Sequence, residues 1–358
     1  MKQNAVQSLV NKTLKNKLQV RETVGMENPL HYRNKAQYPI GINKQGEPVI
    51  GVFANRTHEV IPIDNCLIQN KKSEEIAKFI IEFIKEKNIS IYDEKTGKGL
   101  VRHIVTKVGI KTGEIMCVIV INCHKIPNEN ELVENLKTRY PEIKAIVKNI
   151  NMKNTNVILG QENINLYGNG YIEDILGEYK FKISPLSFYQ VNPVQAEKLY
   201  NLGVSMAEIT KKDVVFDLYC GIGTISLFMS KFAKKVYGIE IVEEAVKMAK
   251  ENALNNNVSN TEFFAGDVEI VLDDLINNKG LKADVVMFDP PRKGLDKKSI
   301  DNILNIRPKK IVYISCNPAT LIRDLADFEN EYDIKTIIPV DMFPFTSHIE
   351  CCSVLQLK

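Results

Sequence analysis

The chain has 358 residues, 44% apolar and 25% charged, with a formal net charge of +3 and seven cysteines. That length exceeds one typical core and predicts two domains of ordinary globular composition. No run of about 18 uncharged apolar residues predicts a membrane span, residues 1–7 lack the apolar core of a signal peptide, and seven scattered cysteines give neither a disulfide framework nor a complete zinc spacing, so a soluble protein of a reducing cytoplasm is expected.

In chain order, residues 1–24 predict a helix, because Val6, Leu9, Val10, Leu14 and Leu18 recur at helical spacing. Residues 34–63 read as short strands and turns (38–41, 49–53, 59–61). Ser73 reads as the cap of a helix through residue 88, with Glu74 and Glu75 in its first turn and Ile76, Phe79, Ile80, Phe83 and Ile84 on one face. A hairpin (100–106 and 115–122), a helix (128–138), a strand (143–150) and Asn- and Gly-rich hairpins (151–178) follow. Residues 1–180 are therefore expected to form an α+β domain with a mainly antiparallel sheet.

From residue 181 strands and helices alternate at βαβ spacing. The strands are 214–218, 235–239, 262–265, 285–288 and 311–314, and the clearest helix is 242–256. Segments 334–339 and 349–357 are joined too closely for a crossover helix and predict an antiparallel pair. Residues 181–358 are expected to be an α/β domain. Charge divides along the same line. Residues 1–180 carry 26 Lys and Arg against 20 Asp and Glu, and the remainder carries 21 against 24. A basic half beside a mildly acidic one fits a polyanion-binding platform beside a catalytic domain, and fits equally a solvated lysine-rich surface.

Four segments carry chemistry. In residues 310–321 a buried strand ends at Cys316, and Asn317 and Pro318 open a helix. The carboxyl edge of an α/β sheet is where ligands bind, and a helix N-terminus favours a thiolate; a small buried residue ending a strand is the plainer reading. In residues 215–224, Gly221 and Gly223 follow Asp217, Leu218, Tyr219 and Cys220. A nicotinamide fingerprint needs a third glycine where Ser226 stands, which disfavours a dehydrogenase. Glu240 ends the next strand, where an acid holds ribose hydroxyls. Acids beside a glycine turn suit S-adenosylmethionine, which is cationic and lacks phosphate; a purely structural turn is the alternative. Asp289 is followed by Pro290 and Pro291, a stiff loop, and then by Arg292 and Lys293, which could meet phosphates; a capping Asp with two solvated bases is the alternative. Glu350 opens the last strand, where burial would raise its pKa and fit it to accept a proton. His348 reads equally as structural, and Cys351 and Cys352 as strand core.

A thiol, a carboxylate and a methyl donor suit one reaction. Uracil C5 is a poor nucleophile until a thiolate adds at C6, and a base must later remove the C5 proton.

Five parallel strands closed by an antiparallel pair are the pattern of a Rossmann-like class I S-adenosylmethionine-dependent methyltransferase domain, here preceded by an α+β central domain. Residues 187–192, 217–223, 289–294, 315–320 and 343–350, with 33–37, resemble the RNA (uracil-5-)-methyltransferase family, especially its bacterial 23S rRNA enzymes. The resemblance implies that Gln190, Tyr219, Glu240 and Asp289 contact S-adenosylmethionine. It implies Cys316 as nucleophile and Glu350 as base, an rRNA partner and a monomer. It also sets Phe188 near the flipped base, with core packing its alternative. Many members carry an N-terminal TRAM domain and an iron–sulfur cluster held by four cysteines. Here Cys66 matches only the fourth, so no cluster is expected, and the chain is expected to be a partial form. Phe345 stands where many members have His. A tRNA substrate and a non-catalytic RNA-binding module remain the alternatives.

Overall fold

A computed structural model describes all residues, 1–358. Its contacts divide the chain into a central unit, Asn28–Leu176 with Phe181–Val191, and a second unit, Met1–Glu27, Gly177–Lys180 and Asn192–Lys358. The first 27 residues thus pack with the later part of the chain and not with the rest of residues 1–180. The reason lies in helix α1 (Lys2–Thr13), whose Val6 and Val10 join Leu14 and Val20 in one apolar cluster with Phe216, Phe288 and Leu325.

The central unit is built on β1 (Lys35–Ile42), β2 (Pro48–Phe53), β3 (Val60–Pro62), α2 (Lys71–Glu86), β4 (Val101–Val108), β5 (Ile115–Ile121), α3 (Glu129–Arg139), β6 (Ile143–Ile150) and β7 (Glu162–Tyr167). Its sheet runs β3-β2-β1-β4-β5-β6-β7. All neighbours are antiparallel except β5 and β6, which are parallel because α3 crosses between them. Every residue of β5 is buried, as a strand covered on both faces requires. Ile76, Ile80 and Ile84 of α2 join Tyr38, Ile104 and Ile119 of the sheet in the unit's core. The cap of α2 is Asn70, whose side chain accepts from Lys72 N; Ser73, read as the cap, lies inside the helix with its hydroxyl buried and unpartnered. A two-stranded ribbon follows, β8 (Ile172–Leu176) and β9 (Tyr179–Ile183).

The second unit continues with α4 (Pro193–Ala207), β10 (Val214–Leu218), α5 (Thr224–Ser230), β11 (Lys235–Glu240), α6 (Glu243–Asn255), β12 (Thr261–Ala265), α7 (Val268–Asp273), β13 (Val285–Phe288), α8 (Lys297–Ile306), β14 (Lys310–Ser315), α9 (Pro318–Phe328), β15 (Tyr332–Val340) and β16 (Glu350–Leu357). The sheet order is β12-β11-β10-β13-β14-β16-β15. The expected antiparallel pair is present, with β16 inserted between β14 and β15 and antiparallel to both. Strand order reverses between β10 and β13, which makes the crevice beyond their carboxyl ends the natural ligand site.

The helical pattern of residues 1–24 stops at Thr13. Beyond it Arg21 N and Val24 N donate to Ile337 O and Pro339 O, at 3.0 and 2.9 Å. The exposed edge of β15 needs backbone partners, and that demand outweighs the helical spacing of Leu14 and Leu18, which still reach the core. No helix is long and apolar enough to cross a membrane.

Candidate active site

The turn after β10 is tightly coiled. Tyr219, Gly221 and Gly223 have φ of 65°, 54° and 80°. A tyrosine in the left-handed region is uncommon and costs about 1–3 kcal/mol, a strain kept where neighbours over-determine the backbone. A Cβ on Gly223 would stand 3.1 Å from Ala249 and Phe263, so that glycine serves packing. A Cβ on Gly221 would meet nothing within 4 Å, so its face is open to a ligand. Glu240 holds this turn in place: Oε2 accepts from Gly221 N at 3.1 Å and Oε1 from Val242 N at 3.0 Å. Each oxygen keeps a further lone pair for a hydroxyl.

Asp217, at the end of β10, is fully buried. Its Oδ2 accepts from Ser226 Oγ, whereas Oδ1 has no partner. Ser226 therefore ties α5 to β10, which explains a serine where a dinucleotide fingerprint has glycine. Burial, and next to it the charges of Asp289 and Glu240, push the Asp217 carboxyl up to about 7 despite the Ser226 bond. Asp289, half-buried after β13, is likewise pushed up to about 7 by burial.

The Pro-Pro loop after Asp289 is clamped onto α9 and its cap. Asn317 Nδ2 and Thr320 Oγ1 donate to Arg292 O at 3.1 and 3.3 Å, Arg323 Nη2 donates to Lys293 O at 2.9 Å, and Leu295 N donates to Asp324 Oδ2 at 2.8 Å. This holds the Arg292 backbone beside the turn that carries Cys316, close enough for its guanidinium to act on the thiol.

Cys316 is half-buried, one residue before the cap of α9. The helix N-terminus does not make it a ready thiolate. Burial, then the carboxyls of Glu350 and Asp289, push the thiol up, and Arg292 opposes them. Ser315 pairs with Cys351 at the end of the β14–β16 ladder, so Cys316, one residue beyond it, lies beside the strand end that carries Glu350. Glu350 is 2% exposed. Burial and Asp289 hold its carboxyl well above the usual range, again against Arg292. Cys316, Glu350, Asp289 and Arg292 are thus one electrostatic group, with Asp217, Tyr219 and Glu240 on the neighbouring strand ends. Arg292 had been read only as a phosphate contact and Asp217 as part of an acidic opening; the sequence signal for both is their place at a strand's carboxyl edge.

The loop leading to Glu350 is held by Lys2, whose Nζ donates to Asp341 Oδ1, Phe343 O and His348 O at 2.7, 3.1 and 2.6 Å. His348 meets Phe343 edge-to-face, with centroids 5.9 Å apart. Phe345, at φ 64°, is exposed. Cys351 and Cys352 are fully buried.

Gln190 and Phe188 belong to the central unit. Gln190 O accepts from Asn34 Nδ2 at 3.0 Å. Phe188 is 69% exposed, so it is not a core residue. Cys66 is half-buried, and its N–H donates to Glu74. No group of three or more His, Cys, Asp or Glu is arranged to hold a metal.

The family model for tRNA (uracil-5-)-methyltransferase matches residues 2–358. An uncharacterized RNA methyltransferase of Clostridium acetobutylicum is 49% identical over 340 residues, 95% of this chain and 74% of that protein. One from Staphylococcus aureus is 44% identical over 339 residues, 95% and 75% of the two chains. The crystal structure of Pyrococcus abyssi tRNA (uracil-54, C5)-methyltransferase in complex with S-adenosyl-L-homocysteine superposes with a TM-score of 0.80 at 28% identity, over 99% of this chain and 81% of that one. The acids of the second unit fit a cationic methyl donor: an orphaned Asp217 oxygen, two half-used Glu240 oxygens and the open face of Gly221.

Proposed function

The chain belongs to the tRNA (uracil-5-)-methyltransferase family of S-adenosylmethionine-dependent enzymes, and we propose that it methylates C5 of a uridine in 23S rRNA through a covalent Cys316–C6 intermediate. Cys316 is the nucleophile and Glu350 the base. Gln190, Tyr219, Glu240 and Asp289 contact the cofactor. The supporting observation is a thiol just beyond the end of β14, beside the strand end that carries the buried Glu350 carboxyl, with Arg292 acting on the thiol. The choice of rRNA rests on the resemblance to bacterial 23S rRNA enzymes; the motifs themselves do not separate rRNA from tRNA.

Arg292 stabilises the Cys316 thiolate, which adds to C6 and moves an electron pair to C5. When bound, S-adenosylmethionine supplies an electrophilic methyl group that C5 takes. Glu350, once ionised, accepts the C5 proton, and the C6–S bond breaks to return the thiolate. A second reading, a tRNA uridine, is favoured by the family description and by the substrate of the Pyrococcus relative.

Mass spectrometry of 23S rRNA and tRNA fractions from cells with and without the gene decides between these substrates. Cys316→Ala should give neither product nor adduct on a denaturing gel, a loss of about 10⁴-fold or more. Glu350→Gln should transfer the methyl group and stall with RNA attached. An adduct with Cys316→Ala overturns the nucleophile, and full turnover by Glu350→Gln moves the base elsewhere.

A further inference from the structure

The central unit holds an open cavity of about 430 Å³ between the β2–β3 turn and residues 155–158, formed only by its own residues. That is the size of small-molecule sites in general. One wall is aromatic: the Phe53 ring lies edge-to-face with His58 and with His103, centroids 5.8 and 6.1 Å apart. Phe53 and His58 are exposed, although they are apolar or amphipathic rings on a surface hairpin.

The floor is His103, 3% exposed, with neither ring nitrogen hydrogen-bonded. Buried polar nitrogens without partners are rare and mark a place where a partner belongs. Burial and the adjacent Arg102 push its pKa down to about 4, so at neutral pH the ring is uncharged. At the rim Arg56 is exposed and makes no ion pair, while Glu94 is engaged by Arg102 at 3.1 Å. Asn156 adds an amide. The turn that carries Arg56 and His58 is braced by Ala54 N to Glu59 O at 2.8 Å and Thr57 N to Ala54 O at 3.0 Å.

An aromatic wall, the Asn156 amide and one unpaired guanidinium at the mouth are together what an unpaired nucleotide needs: a ring face to stack on, a polar group to meet its edge and a cation for its phosphate. We propose that this cavity holds one unpaired nucleotide of the substrate RNA, distinct from the reacting uridine. The proposal rests on the RNA reading above and concerns docking alone.

The test measures RNA affinity by filter binding and methyl transfer by labelled methyl incorporation, using the whole chain. Phe53 and Arg56 are exposed, so Phe53→Ala and Arg56→Ala leave the fold intact. Each should weaken RNA binding at least fivefold, with kcat within twofold and cofactor affinity unchanged, and Phe53→Trp should restore affinity. RNA affinity unchanged in both variants overturns the proposal, as does a parallel loss of cofactor affinity. Uridine and adenosine 5′-monophosphates serve as competitors: nucleotide binding that the variants abolish while RNA affinity stays constant assigns the cavity to free nucleotides and also overturns it. A chain that methylates no RNA yet loses RNA affinity on Phe53→Ala refutes the functional reading and keeps the subsite.

Discussion

The two units match their buried charge differently. The central unit buries the cations Arg102, Lys107 and Lys148, all 5% exposed or less, and the acid Asp174. Each is engaged by the unit's own groups, and Asp174 accepts from Lys111 N and from the Tyr189 hydroxyl. Arg102 donates to Asn151 O and Lys153 O and pairs with Glu94, Lys107 donates to Ser184 O and Ser187 O, and Lys148 pairs with Glu129. The second unit buries acids, and those at the carboxyl edge of its sheet face one another. Asp217, Asp289 and Glu350 all have raised pKa values, and each rise is led by burial. A charge matched by the protein's own groups contributes to a fold. A cluster of like charges, with Arg292 the one cation acting on Glu350, is poised for a ligand that brings positive charge. The difference therefore separates structural from functional burial more sharply than burial itself does.

The largest effect should come from breaking a matched charge. Arg102→Ala leaves Glu94 and two carbonyls without their donor and removes the guanidinium stacked 4.2 Å from the Tyr92 ring. It should cost about 3–5 kcal/mol in urea unfolding. The double variant Arg102→Met with Glu94→Gln should recover most of that. If the single variant unfolds like the parent, the central unit's cations are not structural.

Neutralising an unmatched charge should do the reverse. Asp217→Asn keeps an acceptor for Ser226. The parent carboxyl has a folded pKa near 7 against about 4 unfolded. Between these values the native state holds the proton that the unfolded chain has lost, so parental stability falls as pH rises through the window and levels off above 7. The variant should gain on the parent over that window, reaching about 4 kcal/mol at most by pH 8, and should lose cofactor affinity. A variant less stable at pH 8 than at pH 5, relative to the parent, would remove Asp217 from the unmatched cluster.

How much of this could be read in advance follows from what each feature depends on. Strand β10 and strand β13 begin and end where alternation and punctuation set them. Cys316, Glu350, Asp289 and Glu240 could be placed at strand ends in advance because such positions are legible once the βαβ rhythm is seen. The state of Cys316 was not. A helix N-terminus is local and visible in Asn317 and Pro318, whereas the carboxyls that raise the thiol come from β13 and β16, far along the chain. The extended run at Arg21 and Val24 was hidden for the same reason, since its partners lie on β15. His103 sits in a strand like any other residue, and only its unpartnered nitrogens single it out.

Arg292 is the cation that opposes the cluster at the thiol, and its removal tests how much of the thiol's reactivity depends on it. Arg292→Ala should lower the alkylation rate of Cys316 at pH 7.5 by about tenfold, read peptide by peptide in mass spectrometry, because one pKa unit is about 1.4 kcal/mol. Cys66 and Cys123, also half-buried, serve as internal controls. An unchanged rate at Cys316 would mean that the guanidinium does not govern the thiol.

The smallest expected effect is the most specific to the contrast between the units. A cationic cofactor should bind the ionised forms of Asp217 and Asp289, both near 7 when free. Binding must then expel protons below that pH, so affinity should rise as pH rises and level off once the acids are ionised in the free chain. Titration calorimetry with S-adenosylmethionine should show affinity increasing about five- to tenfold from pH 6.0 to 7.5 for each acid that must ionise, with proton release that shrinks across the same interval. Asp289→Asn should flatten the profile. RNA binding, which does not draw on these acids, should show no such rise over this range. If cofactor affinity is flat and proton release absent, the acids of the second unit are already ionised without ligand. The opposition between a matched and an unmatched interior would then fail at the site where it matters most.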